Sequence, residues 1–566
     1  MIVKKLQEIV NEAVLKGFNE SINSYVHISN LIDLCDYQCD DCFSLAKKLR
    51  TAPIVIANKI VEEIKSREDV NKYFTKVEAV NPGFINFVLT DAFLDENLKI
   101  IASSDSFGIE KPEKPQVYFL DYGGPNIAKP LHVGHLRSPI IGESVKRIIN
   151  FSGNKTISDV HFGDYGLQIG EVIYGLKERN ISLENITLEL LNEIYPNISA
   201  RIKEDEELNK ECARITKELQ EGNKEYYEYF KIIREISKND ILRIYNYLDV
   251  HFDLHEGESD SYKYIDELTN ILNEKNLLKE SQGAKIVDIK KEEDKKELPP
   301  LIFQKSNGAY LYGTTDMASV LERVKEYNPG HIIYFADKRQ DLHYTQFFRA
   351  ISKTGIINED QLEFYGFGTV NGLDGKAYKT REGKSPTLDS LFNEVKTLLQ
   401  KNREMDLEKP EDLDKIVNSV IKFADLQNNF EKDYIFDLEK FSKTEGKTGP
   451  YLLYSYCRMN KILKNYANRI KEFNGISKNK IEREVKLKIL SFKKVFEKAF
   501  NERKPSVLAD FVYDFSTKLN SFYEVNRLSD KENEEYISSW LKLIEVSLKL
   551  IKTNLTMLII DTPERM

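Results

Sequence analysis

Residues 116–124 read QVYFLDYGG, an apolar run closed by a Gly-Gly turn. A run of that length bounded by turn residues is a buried strand. HLRSPIIGESVKRIINFSG follows with helical spacing as far as Gly153, and KTISDVHFGDYG then gives another strand and a glycine-rich loop. Strand, loop, helix and strand in that order predict a parallel, doubly wound α/β sheet, because parallel neighbours need a crossover and a helix supplies it. Such sheets bind ligands beyond the C-terminal ends of their strands. The loop there, NIAKPLHVGHLRS, holds two of the chain's eight histidines, His132 and His135, with Lys129 ahead of them and Gly134 between.

The His–x–x–His spacing puts both rings on one face of a helix or tight turn. A helix N-terminus offers unpaired N–H groups and a positive dipole end for phosphate. Gly134 lets a nucleotide approach the backbone closely. Imidazoles placed there can donate hydrogen bonds to an α-phosphate as it becomes five-coordinate, which stabilises developing charge without a covalent step. Two histidines that cap a helix are the structural alternative. A zinc hydrolase would need HExxH, and no Glu lies between these two.

The rest of the chain extends this core. At 566 residues it should form about three or four domains. Residues 1–105 predict a small α+β unit: an amphipathic first helix without a signal-peptide core, the helical stretch SLAKKLRTAPIVIANKIVEEI, the strand FTKVEAV, and NPGFINFVL after a turn at Asn81-Pro82-Gly83. FGIEKPEKP ends it. Residues 170–285 are charged and helical, an insertion in the sheet domain. Strands return at KIVDI, AYLYG and HIIYFAD, with a helix at DMASVLERVKEY, and helices dominate after about residue 385. No run approaches the ~20 apolar residues of a membrane span, so a cytoplasmic enzyme is expected.

Net charge is −9, yet residues 458–494 hold twelve Lys and Arg against three Glu, a local excess of nine positive charges. A polyanion or solvent are the two readings of that stretch. CDYQCDDC places Cys35, Cys39 and Cys42 close together, with His27 as a fourth candidate for zinc. Without a second CxxC pair these read as reduced thiols on a helix, and no metal site is assigned.

HVGH after PNIAKP resembles the HIGH signature of class I aminoacyl-tRNA synthetases. The longer DYGGPNIAKPLHVGHLRSPIIGE resembles the arginyl-tRNA synthetase family. HFGDYGLQIG (161–170), GAYLYGTTDMA (308–318), YFADKRQDLHYTQFF (334–348), GKAYKTREGK (375–384), GPYLLYSYCR (449–458), the terminal TPERM and VNPGFINF (80–87) follow that family's order. The resemblance implies a tRNA D-loop domain over 1–105, a Rossmann-like catalytic domain over 110–395, a helical connector over 396–447, and an all-α helical-bundle anticodon-binding domain over 448–566. Three positions depart from the family pattern: Pro139 replaces a small residue, Tyr165 replaces Trp, and YKTREGK stands where a KMSKS loop belongs.

The resemblance further implies ligation of L-arginine to tRNA(Arg), with ATP and Mg²⁺ as the substrate complex, tRNA bound before activation, no tightly bound cofactor, no membrane partner and a monomeric chain. His132, His135 and Lys129 would be catalytic. With Gly134, Lys379, Thr380 and Arg381 they would bind ATP, while Lys384 stays open. Asp121, Asn126, Tyr312, Asp316 and Gln340 would bind arginine. Acceptors suit a guanidinium that carries only donors, although Asp316 can equally cap a helix. Asn81, Phe84, Asn86, Arg458, Tyr523 and Met566 would bind tRNA. Another nucleotidyl transferase of the superfamily and a non-catalytic RNA-binding relative are the rival readings.

Overall fold

A computed structural model describes residues 2–29, 31, 34–378, 386–401 and 409–566. The chain forms two compact units. One comprises residues 1–110, 452–498 and 510–554; the other comprises 111–451, 499–509 and 555–566.

The core of the larger unit is a four-stranded parallel sheet, Leu362–Phe367, His331–Asp337, Val117–Tyr122 and Lys155–Asp159 in spatial order. In chain order the first strand is central: the chain leaves it for one edge and returns on its other side. That reversal lies between Val117–Tyr122 and His331–Asp337 and opens a crevice at their C-terminal ends. The predicted α/β sheet is therefore present. AYLYG, expected as a strand, is not one. Tyr310 makes a single bridge with Gln304, and a helix runs from Tyr312 to Tyr327. The edge strand Leu362–Phe367 and the short strand Leu301–Gln304 went unforeseen. The insertion is helical from Leu167 to Glu274, but Leu278–Ser281, Ala284–Val287 and Leu301–Gln304 form a separate antiparallel sheet.

The helix Arg137–Phe151 carries the histidine loop, and three features seat its first turn. Pro139 is the third residue, where its missing N–H costs nothing, because the first four N–H groups have no intrahelical partner. Ser138 bridges the crevice: its hydroxyl accepts from Gly123 N–H (2.7 Å) and donates to the Phe335 carbonyl (2.7 Å). Arg137 is 1% exposed and donates to Asp425 (3.0 Å) and to the carbonyls of Gly368 and Lys432. A Cβ at Gly142 would come within 2.2 Å of Tyr122 Cγ, so glycine is required for the helix to lie this close to the strand. Tyr165 accommodates the loss of Trp by packing edge-on to Phe230 and Tyr262 while its hydroxyl reaches the Leu219 carbonyl.

The smaller unit starts from an antiparallel sheet of Val26–Ile28, Tyr37–Cys39, Phe84–Leu89 and Phe74–Val80, covered by the helices Ile2–Phe18 and Pro53–Lys65. Leu487 of the helix Lys480–Glu502 belongs to the same hydrophobic cluster. Beside it, Lys486 is fully buried between Asp95 (2.8 Å) and Glu482 (3.2 Å), and Trp540 Nε1 donates to Glu482 (2.9 Å). Arg483 binds Asp36 (2.5 Å), Asp91 and the Leu89 carbonyl. The basic stretch is thus largely neutralised within the protein. Seven of its twelve cations pair with carboxylates, leaving Arg458, Lys461, Lys464, Lys471 and Lys494 without one among the described residues. The expectation of thiols on a helix is also corrected: Cys39 ends a strand, Cys42 begins a helix, and Cys35 precedes both. All three are buried, and burial pushes the Cys42 thiol up to about 12.

Candidate active site

His132 and His135 flank the one-turn 3₁₀ helix Val133–His135, their ring centroids 4.0 Å apart. Each ring accepts a backbone N–H at Nδ1: His135 from His132 (3.1 Å), His132 from Gly134 (3.0 Å). The capping alternative and the phosphate reading therefore describe one geometry. With both Nδ1 atoms accepting, the proton of each neutral ring sits on Nε2, which remains available as a donor. Burial, then the charge of Lys129, lowers the pKa of His132; burial and the His132 ring push His135 down to about 4. Both rings are neutral donors at neutral pH. Gly134 has a further cause: a Cβ there would stand 2.7 Å from His132 Cε1, so the cap itself excludes a side chain.

Backbone pairing brings residues 386–388 against this loop. Val133 N–H donates to the Pro386 carbonyl (3.2 Å), and Leu388 N–H to that of Leu131 (3.0 Å). The candidate ATP ligands Lys379, Thr380 and Arg381, like Lys384, lie outside the described residues.

The five candidate arginine ligands are distributed around the crevice. Asp121 is already engaged by a guanidinium of the chain itself: Arg323 donates to it (2.6 Å), to Asp159 (3.3 Å) and to the Tyr334 hydroxyl (3.1 Å). Asp121 is thus paired within the protein, although burial outweighs the pull of Arg323 and raises its pKa. Asn126 bridges to Gly163, knitting the loops after the first two strands, and is exposed. Gln340 is exposed at the start of the helix Asp341–Lys353. Tyr312 and Asp316 lie one turn apart on the helix Tyr312–Tyr327. Leu311 is that helix's N-cap, so Asp316 sits too far along to cap it. The Asp316 carboxylate instead meets His343 Nε2 at 2.5 Å; burial disfavours the charged ring, but this bond outweighs it and raises the His343 pKa.

Two residues absent from the sequence reading complete the site. Glu258 is pushed up to about 8 by burial, then by the charges of Asp316 and Asp164. It holds its proton because a third negative charge there would be only partly offset by His161. His161 bonds Asp159 through Nδ1 (3.1 Å), which outweighs burial and raises its pKa to about 9. Its Nε2 is buried with no hydrogen-bond partner among the described residues, and its φ of 35° is left-handed, a conformation concentrated at functional sites. A signal for His161 existed, because it opens the HFGDYG motif. A signal for Arg323 existed too, seven residues after Asp316 on one helix face. Glu258 in HEGES had none.

In the smaller unit Phe84 is half-buried, edge-on to Phe43 (5.1 Å), and shares a sheet face with Asn86. Asn81 is exposed, whereas Asn86 is buried and its side-chain oxygen accepts from Gln38 (2.9 Å), which binds it into the sheet. The Arg458 guanidinium faces the Tyr523 ring at 5.6 Å. Met566 belongs to the other unit.

Comparisons with known proteins agree with this layout. Three family models match in succession: the arginyl-tRNA synthetase N-terminal domain over residues 2–89, the class I (R) tRNA synthetase catalytic domain over 97–438, and the DALR anticodon-binding domain over 452–566. The chain is 39% identical to an arginine–tRNA ligase of Alkaliphilus oremlandii and 37% identical to one of Agathobacter rectalis, each over the whole of both chains. The crystal structure of arginyl-tRNA synthetase from Plasmodium falciparum superposes with a TM-score of 0.77 at 26% identity, covering 100% of this chain and 99% of that one. Three domain models in order and relatives 37–39% identical over the whole of both chains make this chain a member of the arginyl-tRNA synthetase family of class I aminoacyl-tRNA ligases.

Proposed function

We propose that the chain activates L-arginine with ATP and transfers it to the 3′-terminal adenosine of tRNA(Arg). In the first step an arginine carboxylate oxygen attacks the α-phosphorus of ATP in line, the bond to the β-phosphate oxygen breaks, and pyrophosphate leaves with Mg²⁺. In the second, a ribose hydroxyl attacks the acyl carbon and AMP leaves. No side chain forms a covalent bond; positioning and charge stabilisation supply the rate. The observation that carries this reading is the reciprocal histidine cap at the sheet's reversal point, which leaves two neutral Nε2–H donors. His132 and His135 serve the α-phosphate; Lys129, with Lys379, Thr380 and Arg381, serves the β- and γ-phosphates. Attachment of labelled arginine to purified tRNA tests the whole, and pyrophosphate exchange with a panel of amino acids separates it from other nucleotidyl transferases. Exchange with another amino acid in preference to arginine would refute it.

Asp316, Tyr312 and Glu258 form the guanidinium end of the pocket, with Asn126 and Gln340 at its mouth. Asp121 contributes through Arg323 as the pocket's floor. Because Glu258 carries a proton near neutrality, binding a guanidinium must expel it. Arginine affinity should therefore rise with pH, approaching tenfold per unit from about pH 6 to about pH 8, and level off above. Isothermal titration in two buffers of different ionisation enthalpy checks this. A flat profile, or one that survives in Glu258→Gln, would make Glu258 a scaffold residue.

Residues 1–105 and 448–566 are assigned to the D-loop and anticodon of tRNA, 110–395 to catalysis and 396–447 to the connection between them, in a cytoplasmic monomer that supplies every site residue itself. Phe84, Asn81 and Asn86 would receive a D-loop base; Arg458, Tyr523 and Met566 would line the anticodon side. Half-exposed Phe84 should lose about 1–3 kcal/mol of tRNA affinity on change to alanine. A core phenylalanine would instead lose about 3–5 kcal/mol of folding stability. Melting curves and filter binding on Phe84→Ala distinguish the two, and unaltered tRNA affinity would exclude Phe84 from recognition.

A further inference from the structure

The Lys129 ammonium is not held by any residue named above as its neighbour in the motif. Its Nζ stands 4.6 Å from the ring centroid of Tyr195. Tyr195 is half-buried on the insertion helix Leu188–Arg201, and its position is set by packing. Ile194 and Ile198 are buried, and a Cβ at Gly175 of the helix Leu167–Glu178 would come within 2.4 Å of Ile194 Cγ2. That second helix also carries Glu171, which is 4% exposed and has one carboxylate oxygen buried without a hydrogen-bond partner among the described residues. Burial raises the Glu171 pKa against the pull of the Lys129 charge, the Ser199 hydroxyl and the Lys203 charge. The Lys129 charge also acts on both His132 and His135. The ammonium therefore lies against an aromatic face, and its charge reaches both the histidine pair and a buried acid.

We propose that Tyr195 and Glu171 are positioning residues for Lys129, holding its ammonium beside the histidines until the polyphosphate of ATP draws it away. This rests on the reading of Lys129 as a phosphate ligand. A lysine stem has many rotamers, and fixing it only in the transition state would charge that entropy against the rate. An aromatic face suits the waiting position. It attracts a cation at short range without offering a hydrogen bond that a phosphate would have to break. The Glu171 carboxylate, which interacts electrostatically with Lys129, adds a second attraction of the same sense.

Pyrophosphate exchange in the presence of tRNA, with the full chain and with ATP and arginine varied separately, tests the proposal. Tyr195→Leu should slow activation or raise the ATP KM by roughly 5–30-fold. The arginine KM should stay within about twofold, and Tyr195→Phe, which keeps the ring face, should stay within about twofold of wild type. Combined with Lys129→Met, Tyr195→Leu should add nothing, because its effect passes through the ammonium. Glu171→Gln should act in the same direction as Tyr195→Leu and vanish in the same background. An equal loss in the Lys129→Met background would make Tyr195 a packing residue and overturn the proposal. A slow Lys129→Met beside a wild-type Tyr195→Leu would overturn the positioning role alone. If Lys129→Met itself exchanges normally, the phosphate role fails and the positioning role fails with it.

Discussion

Replacing Arg323 with methionine should destabilise the larger unit by about 3–5 kcal/mol, the usual result of removing one partner from a buried ion network. Methionine keeps most of the volume, so the loss reports charge and not a cavity. Arg323 is 1% exposed, lies 4.5 Å from the Phe119 ring centroid, and faces Asp121 and Asp159, which are register partners on adjacent strands. Without it, the two buried carboxylates would be left to His161 and the Glu256 N–H that donates to Asp159. The deficit should shrink as pH falls, because a carboxylate whose pKa has been raised takes up its proton and removes the repulsion. Asp159 is the last expected to do so, since the bond from His161 overcomes burial and holds it near 2. Urea denaturation at neutral and mildly acidic pH measures both effects, and a loss under about 1 kcal/mol at neutral pH would show that the network has no such weight. Arginine affinity should fall as well, since the floor of the pocket is built on this guanidinium.

Changing Lys129 to alanine should slow arginyl-adenylate formation by roughly 10²–10³, about 2.7–4 kcal/mol of transition-state stabilisation, with arginine affinity nearly unchanged. Single-turnover activation measures the first quantity and equilibrium titration the second. A rate within about threefold of wild type would remove Lys129 from the chemistry. The same variant carries an internal control. Burial, and then the Lys129 charge, lower the pKa of His132, so removal of the charge should raise it part of the way back. Proton NMR of the ring reads this directly, and an unmoved His132 would mean that the two groups do not sense each other.

The parts of the fold legible in the sequence were those with a local period. Val117–Tyr122, Arg137–Phe151 and His331–Asp337 each bury one contiguous pattern, and apolar spacing alone announces them. AYLYG misled because five residues cannot separate a strand from a helix start. Leu311 is the N-cap, and the Thr314 hydroxyl donates to the Phe303 carbonyl, a contact invisible in sequence. The strand Leu362–Phe367 escaped because four of its six residues are only half-buried and its alternation is weak. In the site, the histidine loop was legible because its residues are adjacent. The pairing of Asp121 with Arg323 joins residues 202 apart, and no spacing rule connects them. The basic stretch shows the same limit: composition counts charges but does not tell which of them, like Arg483 and Lys486, pair with carboxylates far away in sequence.

The sharing of one hydrophobic cluster and one ion network by the two ends of the chain has a consequence for its synthesis. Asp91 and Arg483 are 392 residues apart. A ribosome adding about 5–20 residues per second leaves the N-terminal sheet waiting roughly 20–80 s for its partner helix. During that interval Asp36, Asp91 and Asp95 stand together without Arg483 and Lys486, and the surface that Leu487 will cover is open to water. The first segment to leave the ribosome is thus among the last to be completed. A nascent chain stalled before Lys480 should remain sensitive to protease over residues 1–110, while the same region of the finished protein resists.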